Sequence, residues 1–300
     1  MNIYSLRRNT WLSVTVVAAG LAATAGCTSS SSSSSTSASA SSPSLSATSK
    51  TLTVKQIVLG TTLRHSYRPG GNGAARTEDL TQPDDIVTLG GNLYIGFQNG
   101  VGSQGEASAS GNLDSTLVEV TRTGSVVKQW DVTGKIDGMG ADSATGQVIA
   151  TVNEDSKSSL YTASGGTITH YTYTPSSLPH LGGTDAVAVD QGKILISASA
   201  PGTSGKAPAS APAVFVVTLN AGAKTAAVAS FFADNATATG VNAPNAGKKV
   251  TLALTDPDSN GGRPVELGGV RRGLHAELPG RRGTDLLRCQ WPEPAGPEDL

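Results

Sequence analysis

Three segments of the chain can be laid over one another: PDDIVTLGGNLYIGF, KIDGMGADSATGQVIATV and GTDAVAVDQGKILISAS. Each sets an aspartate (Asp85, Asp137, Asp185) before a short strand, then a Gly-bearing turn (Gly91, Gly146, Gly192), then an apolar strand. Those apolar strands are Leu93-Tyr94-Ile95, Val148-Ile149-Ala150 and Ile194-Leu195-Ile196, with the β-branched enrichment of buried sheet. The aspartates are separated by 52 and 48 residues. A second hairpin follows each segment: TLVEVTRTGSVVKQWDV turning at Gly124, SLYTASGGTITHYTYT at Gly165-Gly166, and AVFVVTLNAGAKTAAVASF near Gly222. Two hairpins per period of about fifty residues make a four-stranded unit, the content of one propeller blade. No apolar series at helical spacing runs through this region, so a helical solenoid is excluded. A β-sandwich could also use regularly spaced hairpins. The periodic aspartate and the unit length favour an all-β fold, a β-propeller of four-stranded blades, incomplete, with about three to four blades visible.

The chain divides into four parts on composition. Residues 1–26 carry Arg7 and Arg8 ahead of an apolar run from Trp11 to Ala25, too short to span a membrane and suited to an export signal peptide. Residues 27–50 begin with Cys27 and continue in Ser, Thr and Ala, too polar to bury anything, so a disordered linker is expected there. Such a linker spans roughly 25 Å root-mean-square, enough to lift a domain clear of lipid headgroups. Residues 51–260 hold the partial propeller, and 261–300 read as a tail of another kind. The net charge is −1 and no basic run lies outside the leader and the tail, so nucleic acid is excluded as a partner. Of the two cysteines, Cys27 and Cys289, neither lies in the strand-rich part.

From Gly261 to Leu300 there is no Ser, Lys, Ile, Phe, Tyr or Met, yet half of all the arginines are found there. That is the composition of a GC-rich gene read out of frame. With free choice among synonymous codons and a displacement of one base, the same stretch can give AVVPS after Asn260 and then SSAAFAGDFMLNSQGDAELIFSAANG. This restores an apolar strand, a polar turn, a second apolar strand and a Gly turn, the hairpin that the fourth unit, starting at GKKVTLALTDPDSN, lacks. As written, the expected tail is disordered. The expected ring then stays open, leaving unpaired strand edges and an aggregation-prone, non-functional product.

Two resemblances add to this. Thr24-Ala25-Gly26-Cys27 resembles the lipobox of bacterial lipoproteins, with Thr24 where Leu is usual. It implies lipid attachment at Cys27 and a location on the outer face of the cell membrane. Ala23-Thr24-Ala25 is alternatively a site for ordinary signal peptidase, which would release a secreted protein. Leu52 to Asn260, with FQNGVG, DVTGKIDG, ATVNEDSKSSLYT, GGTDA and LALTDPDSN, resembles the extracytoplasmic β-propellers of actinobacteria, of the YVTN or gluconolactonase-like kind.

Candidate chemistry is sparse. Asp85, Asp137 and Asp185 are expected to hold local turns through backbone amides; the alternative is a ring of carboxylates around a central channel that could bind Ca²⁺. Asn153, Glu154 and Asp155 offer the oxygen-rich cluster that the resemblance to gluconolactonase-like propellers would use to bind a metal and polarise a lactone. Asp256 to Gly261 spells the first half of a calcium loop, but Leu267 stands where its closing Glu belongs and Pro257 is awkward, so a polar turn is expected. His65, His170, His180 and His275 lack metal-binding spacing, with His170 expected on an exposed strand position and His180 a weak candidate base. No catalytic, cofactor or metal residue is assigned. The reading is an exported, lipid-anchored module that binds a small molecule, wall polymer or protein; the alternative is a Ca²⁺-dependent lactonase or esterase-like hydrolase on the same scaffold.

Overall fold

A computed structural model describes residues 54–200, 210–240 and 244–258, together with the backbone of 260–262, 274–276 and 287–288. The leader, Cys27, the Ser-rich linker and Cys289 lie outside the described residues. Among the described residues no helix is long and apolar enough to cross a membrane.

A short antiparallel hairpin, β1 (Arg64–Tyr67) with β2 (Arg76–Asp79), precedes the repeats. The first repeat is a separate four-stranded antiparallel sheet of β3 (Pro83–Leu89), β4 (Asn92–Phe97), β5 (Asp114–Val120) and β6 (Val126–Thr133). The second is β7 (Ile136–Asp142), β8 (Gln147–Val152), β9 (Ser159–Ser164) and β10 (Thr167–Thr174); the third is β11 (Thr184–Asp190), β12 (Lys193–Ala198), β13 (Pro212–Asn220) and β14 (Thr225–Ala233). Every sequence-read turn falls between the strands it was read to join, Gly91 between β3 and β4, Gly146 between β7 and β8 and Gly192 between β11 and β12. The all-β, propeller-like class follows from these repeated sheets.

The first strands of the repeats gather on one side, β7 between β3 and β11. The middle strands are buried on both faces, as in QVIATV of β8, because a neighbouring sheet covers each face. The outermost strands alternate, β6 as eeeiBeBe and β10 as eiieBeBe (e exposed, i half-buried, B buried), because one of their faces meets solvent. An apolar layer fills each gap. Val132, Ile136, Val148 and Val152 lie between the first and second sheets; Ile149, Leu160, Tyr173, Val187 and Ile196 lie between the second and third. Each fully buried Ile or Leu contributes about 1.5–3 kcal/mol.

Two features depart from the reading above. The second and third repeats are not separate blades at their outer edge: Thr172–Thr174 of β10 pairs in parallel with Thr225–Ala227 of β14, so the two sheets form one eight-stranded sheet. The fourth unit does not open with GKKVTLAL. Lys249–Thr251 forms β16, the outer edge of a five-stranded sheet in the order β16, β15 (Thr237–Gly240), β19 (Leu287–Arg288), β18 (Leu274–Ala276), β17 (Asn260–Gly262). The position beside β11 is taken by β17, which starts where the Arg/Gly/Pro text starts. Residues 261–262, 274–276 and 287–288 of the expected tail are thus paired backbone, and the rest of 263–300 lies outside the described residues.

Candidate functional site: a carboxylate mouth at the strand starts

The packing of β7 on β11 decides where side chains converge. A Cβ at Gly138 would stand 2.2 Å from the Asp185 carbonyl oxygen and 2.7 Å from Ala186 Cα, so only glycine lets these two backbones approach. The aspartates read as a repeat therefore meet at one end of the sheets. Their bonds are not the local turns expected. Asp85 Oδ2 accepts the Met139 N–H at 2.6 Å, tying the first sheet to the second, and Asp137 Oδ2 accepts the Glu154 N–H at 3.1 Å. Asp85 thus staples the first sheet to the second, whereas Asp137 ties the start of β7 to the loop after β8 within its own repeat.

Asn153 shapes the loop that carries Glu154. Its φ is 66°, a left-handed turn that asparagine tolerates; its Oδ1 accepts the Lys135 N–H at 2.9 Å, and its own N–H donates to Lys135 O at 2.8 Å. Asn99 repeats this in the first sheet, with φ 54° and its Oδ1 accepting the Thr81 N–H at 3.1 Å. Asp155 is engaged as well, accepting from Ser103 Oγ while its N–H donates to Ser103 O at 3.1 Å. Of the three residues read as an oxygen-rich cluster, only Glu154 faces the mouth, and it is held by the Lys135 ammonium.

Lys135 Nζ also stands 2.7 Å from Asp137 Oδ1, which in addition accepts from Gln98 Nε2 at 3.3 Å. Burial works against the Lys135 charge, but the two carboxylates outweigh it and hold its pKa above the usual lysine value. Asp137 is still pushed up to about 6, by burial first and by the Glu154 charge, against the pull of Lys135. Asp185 goes further. It is 7% exposed, its carboxyl makes no hydrogen bond among the described residues, and burial together with Asp137, Glu154, Asp258 and Asp256 pushes it to about 8. Asp258 is raised by partial burial and by Asp256 and Glu154. Asp256 Oδ1 accepts the Ala200 N–H at 2.7 Å. The Asp258 N–H donates to Asp256 O at 3.1 Å, and these two aspartates join the mouth just ahead of β17.

This arrangement can attract a cationic group or, through a protonated Asp185, donate a hydrogen bond. Among the described residues no group of three or more His, Cys, Asp or Glu is placed to hold a metal ion. The weak base His180 is fully buried: its Nε2 donates to Gly183 O at 2.7 Å, its ring lies against Phe215, and burial lowers its pKa. It holds the entry to β11 and cannot meet a substrate. His170 is on an exposed strand position, as read, bonded at 2.8 Å to Ser159 Oγ and stacked on Tyr161. The reading missed Lys135 and Gln98, and it set the Asp256–Asp258 pair aside as a polar turn. The available signal for the last was another aspartate ahead of a strand, which the Pro and the altered text after Asn260 obscured.

These features define an all-β, propeller-like protein with a carboxylate-lined mouth. No family model and no curated protein matches the chain. Among solved structures it is similar to variants of the Synechocystis apocarotenoid oxygenase. One of these is 14% identical with a TM-score of 0.32, covering 70% of this chain and 46% of that one. Another is 14% identical with a TM-score of 0.33, covering 73% and 47%. The chain spans just under half the length of these proteins.

Proposed function

We propose that this chain is an exported, lipid-anchored, propeller-like binding module whose ligand-bearing face is the carboxylate mouth, and that its ligand presents a positively charged group there. One observation carries the reading. Asp185 lies within electrostatic reach of Asp137, Glu154, Asp256 and Asp258, of which the Lys135 ammonium engages Asp137 and Glu154, and Asp185 is buried without a hydrogen bond among the described residues. Burying carboxylates together costs free energy, which a bound cation would return. The hydrolase alternative gains nothing from these contacts, because Asn153 and Asp155 are committed to loop docking. In the same reading Cys27 carries the lipid, and Gly261 to Leu300 is the displaced frame of a longer ring, so the chain as written binds poorly.

Titration calorimetry with spermidine and, separately, with CaCl₂, on the chain carrying the in-frame continuation after Asn260, tests the mouth. Heat that disappears in Asp185→Asn supports it, with the active probe naming the cation; no heat from either, or heat unchanged in Asp185→Asn, overturns it. Cys27→Ala should move the protein from the membrane fraction to the medium, and an unchanged distribution removes the anchor. Resequencing the gene across Asn260 tests the frame.

A further inference from the structure

We propose that His65 makes the hairpin of β1 and β2 a pH-sensitive latch over the first sheet, closed when the imidazole is protonated and loosened when it is neutral. The latch has a head and a plug. The head is the His65 ring, whose side chain is 2% exposed, set between carboxylates from two elements: Glu78 on β2, with Oε1 3.2 Å from Nε2, and Asp131 on β6, with Oδ1 3.7 Å from Nδ1. The plug is Leu63 and Leu80, which flank the hairpin, are bonded through the Leu80 N–H to Leu63 O at 3.0 Å, and cover Ile95, Phe97, Val118 and Val120.

The surroundings suit the charged ring. Glu78 is fixed from behind, accepting from Asn112 Nδ2 and Ser110 Oγ, each at 2.8 Å, so it cannot turn away when the imidazole loses its proton. Nδ1 is buried with no hydrogen-bond partner, and the acidic group it faces, Asp131, is 55% exposed and free to swing in. A neutral ring bearing its hydrogen on Nε2 would turn a bare lone pair on Nδ1 toward that carboxylate; an imidazolium donates to both sides. The other charged groups nearby are committed elsewhere. The Asp114 carboxylate accepts from Thr133 Oγ1 at 2.7 Å, and Arg64 and Asp79 pair with each other at 3.5 Å on the exposed side. Tyr67 stacks on the ring at 5.7 Å and adds no charge. Burial opposes protonation, but Asp131 and Glu78 outweigh it and raise the His65 pKa. A pKa above the unfolded value means that the stabilisation is complete below that unfolded value and is lost as pH rises through the folded one. Opening would bare the apolar face of the first sheet.

Histidine NMR titration of the full chain, with hydrogen exchange across pH 6 to 8.5, tests the latch. His65 should titrate above the ordinary imidazole value, and Asp131→Asn, an exposed and fold-neutral change, should lower its midpoint. Protection of residues 60–81, corrected for intrinsic chemistry, should fall about tenfold across that range while β11 to β14 change far less. A His65 midpoint at or below the ordinary value, an unmoved midpoint in Asp131→Asn, or hairpin protection that does not fall would each overturn the proposal.

Discussion

The interface between the second and third sheets and the sheet built after Asp234 show two ways in which one chain closes a strand array. Between the second and third sheets the strands run six to nine residues. Gly138 and Gly140 let β7 lie against β11, and the outer edges are joined by the parallel pair of β10 and β14. In the last sheet the strands run two to four residues, and three of the five come from text rich in Arg, Gly and Pro. Per-residue pairing is similar in kind, but cooperativity grows with the apolar area each strand brings, so the contrast is one of length and side chain rather than topology.

The contrast can be broken most forcefully at its sealed side. Gly138→Ala should cost about 3 kcal/mol or more, because the clash is with Asp185 backbone atoms that cannot rotate away. Gly146→Ala, in a turn at φ 66° with open space around it, should cost about 1 kcal/mol in the same denaturant titration. Ile196→Ala, at 0% exposure in the layer between the second and third sheets, should cost about 3 kcal/mol. Lys249→Ala in β16 is expected to change stability by under about 0.5 kcal/mol, since its side chain is exposed on an outer strand.

Between these extremes lies a pH effect from the mouth. A carboxyl whose pKa is higher in the fold than in the unfolded chain binds its proton more tightly when folded. Its stabilisation is complete at pH below the unfolded value and is lost as pH rises, through about 6 for Asp137 and about 8 for Asp185. The melting temperature should therefore fall as pH rises from 6 to 8, and Asp185→Asn should flatten that fall. A wild-type melting temperature that rises over this range would remove the carboxylate mouth from the account.

The repeat was legible because its signals are local. An aspartate, a Gly turn and a β-branched strand specify a hairpin without reference to the rest of the chain, and β3 to β14 stand where those signals placed them. What could not be read depends on partners far away in sequence. The parallel pairing of Thr172–Thr174 with Thr225–Ala227 leaves no mark in either segment. RHSY and RTED are too polar to announce a hairpin that covers the first sheet, and the buried His65 and Tyr67 show only as alternation in β1. Nothing local to Lys135 marks it, because the groups that engage its ammonium, Asp137 and Glu154, meet it only once β7 and β8 are paired. The aspartates were the right residues with the wrong partners, since the amide that Asp85 accepts belongs to Met139, in the next sheet.

Residue-resolved hydrogen exchange on the full chain tests the central claim most directly, that the long-stranded sheets form one cooperative body to which the last sheet adds little. Amides of β8, β9, β12 and β13 should share one high protection, with those at 260–262, 274–276 and 287–288 lower by at least about a hundredfold. Equal protection across both sets would contradict it.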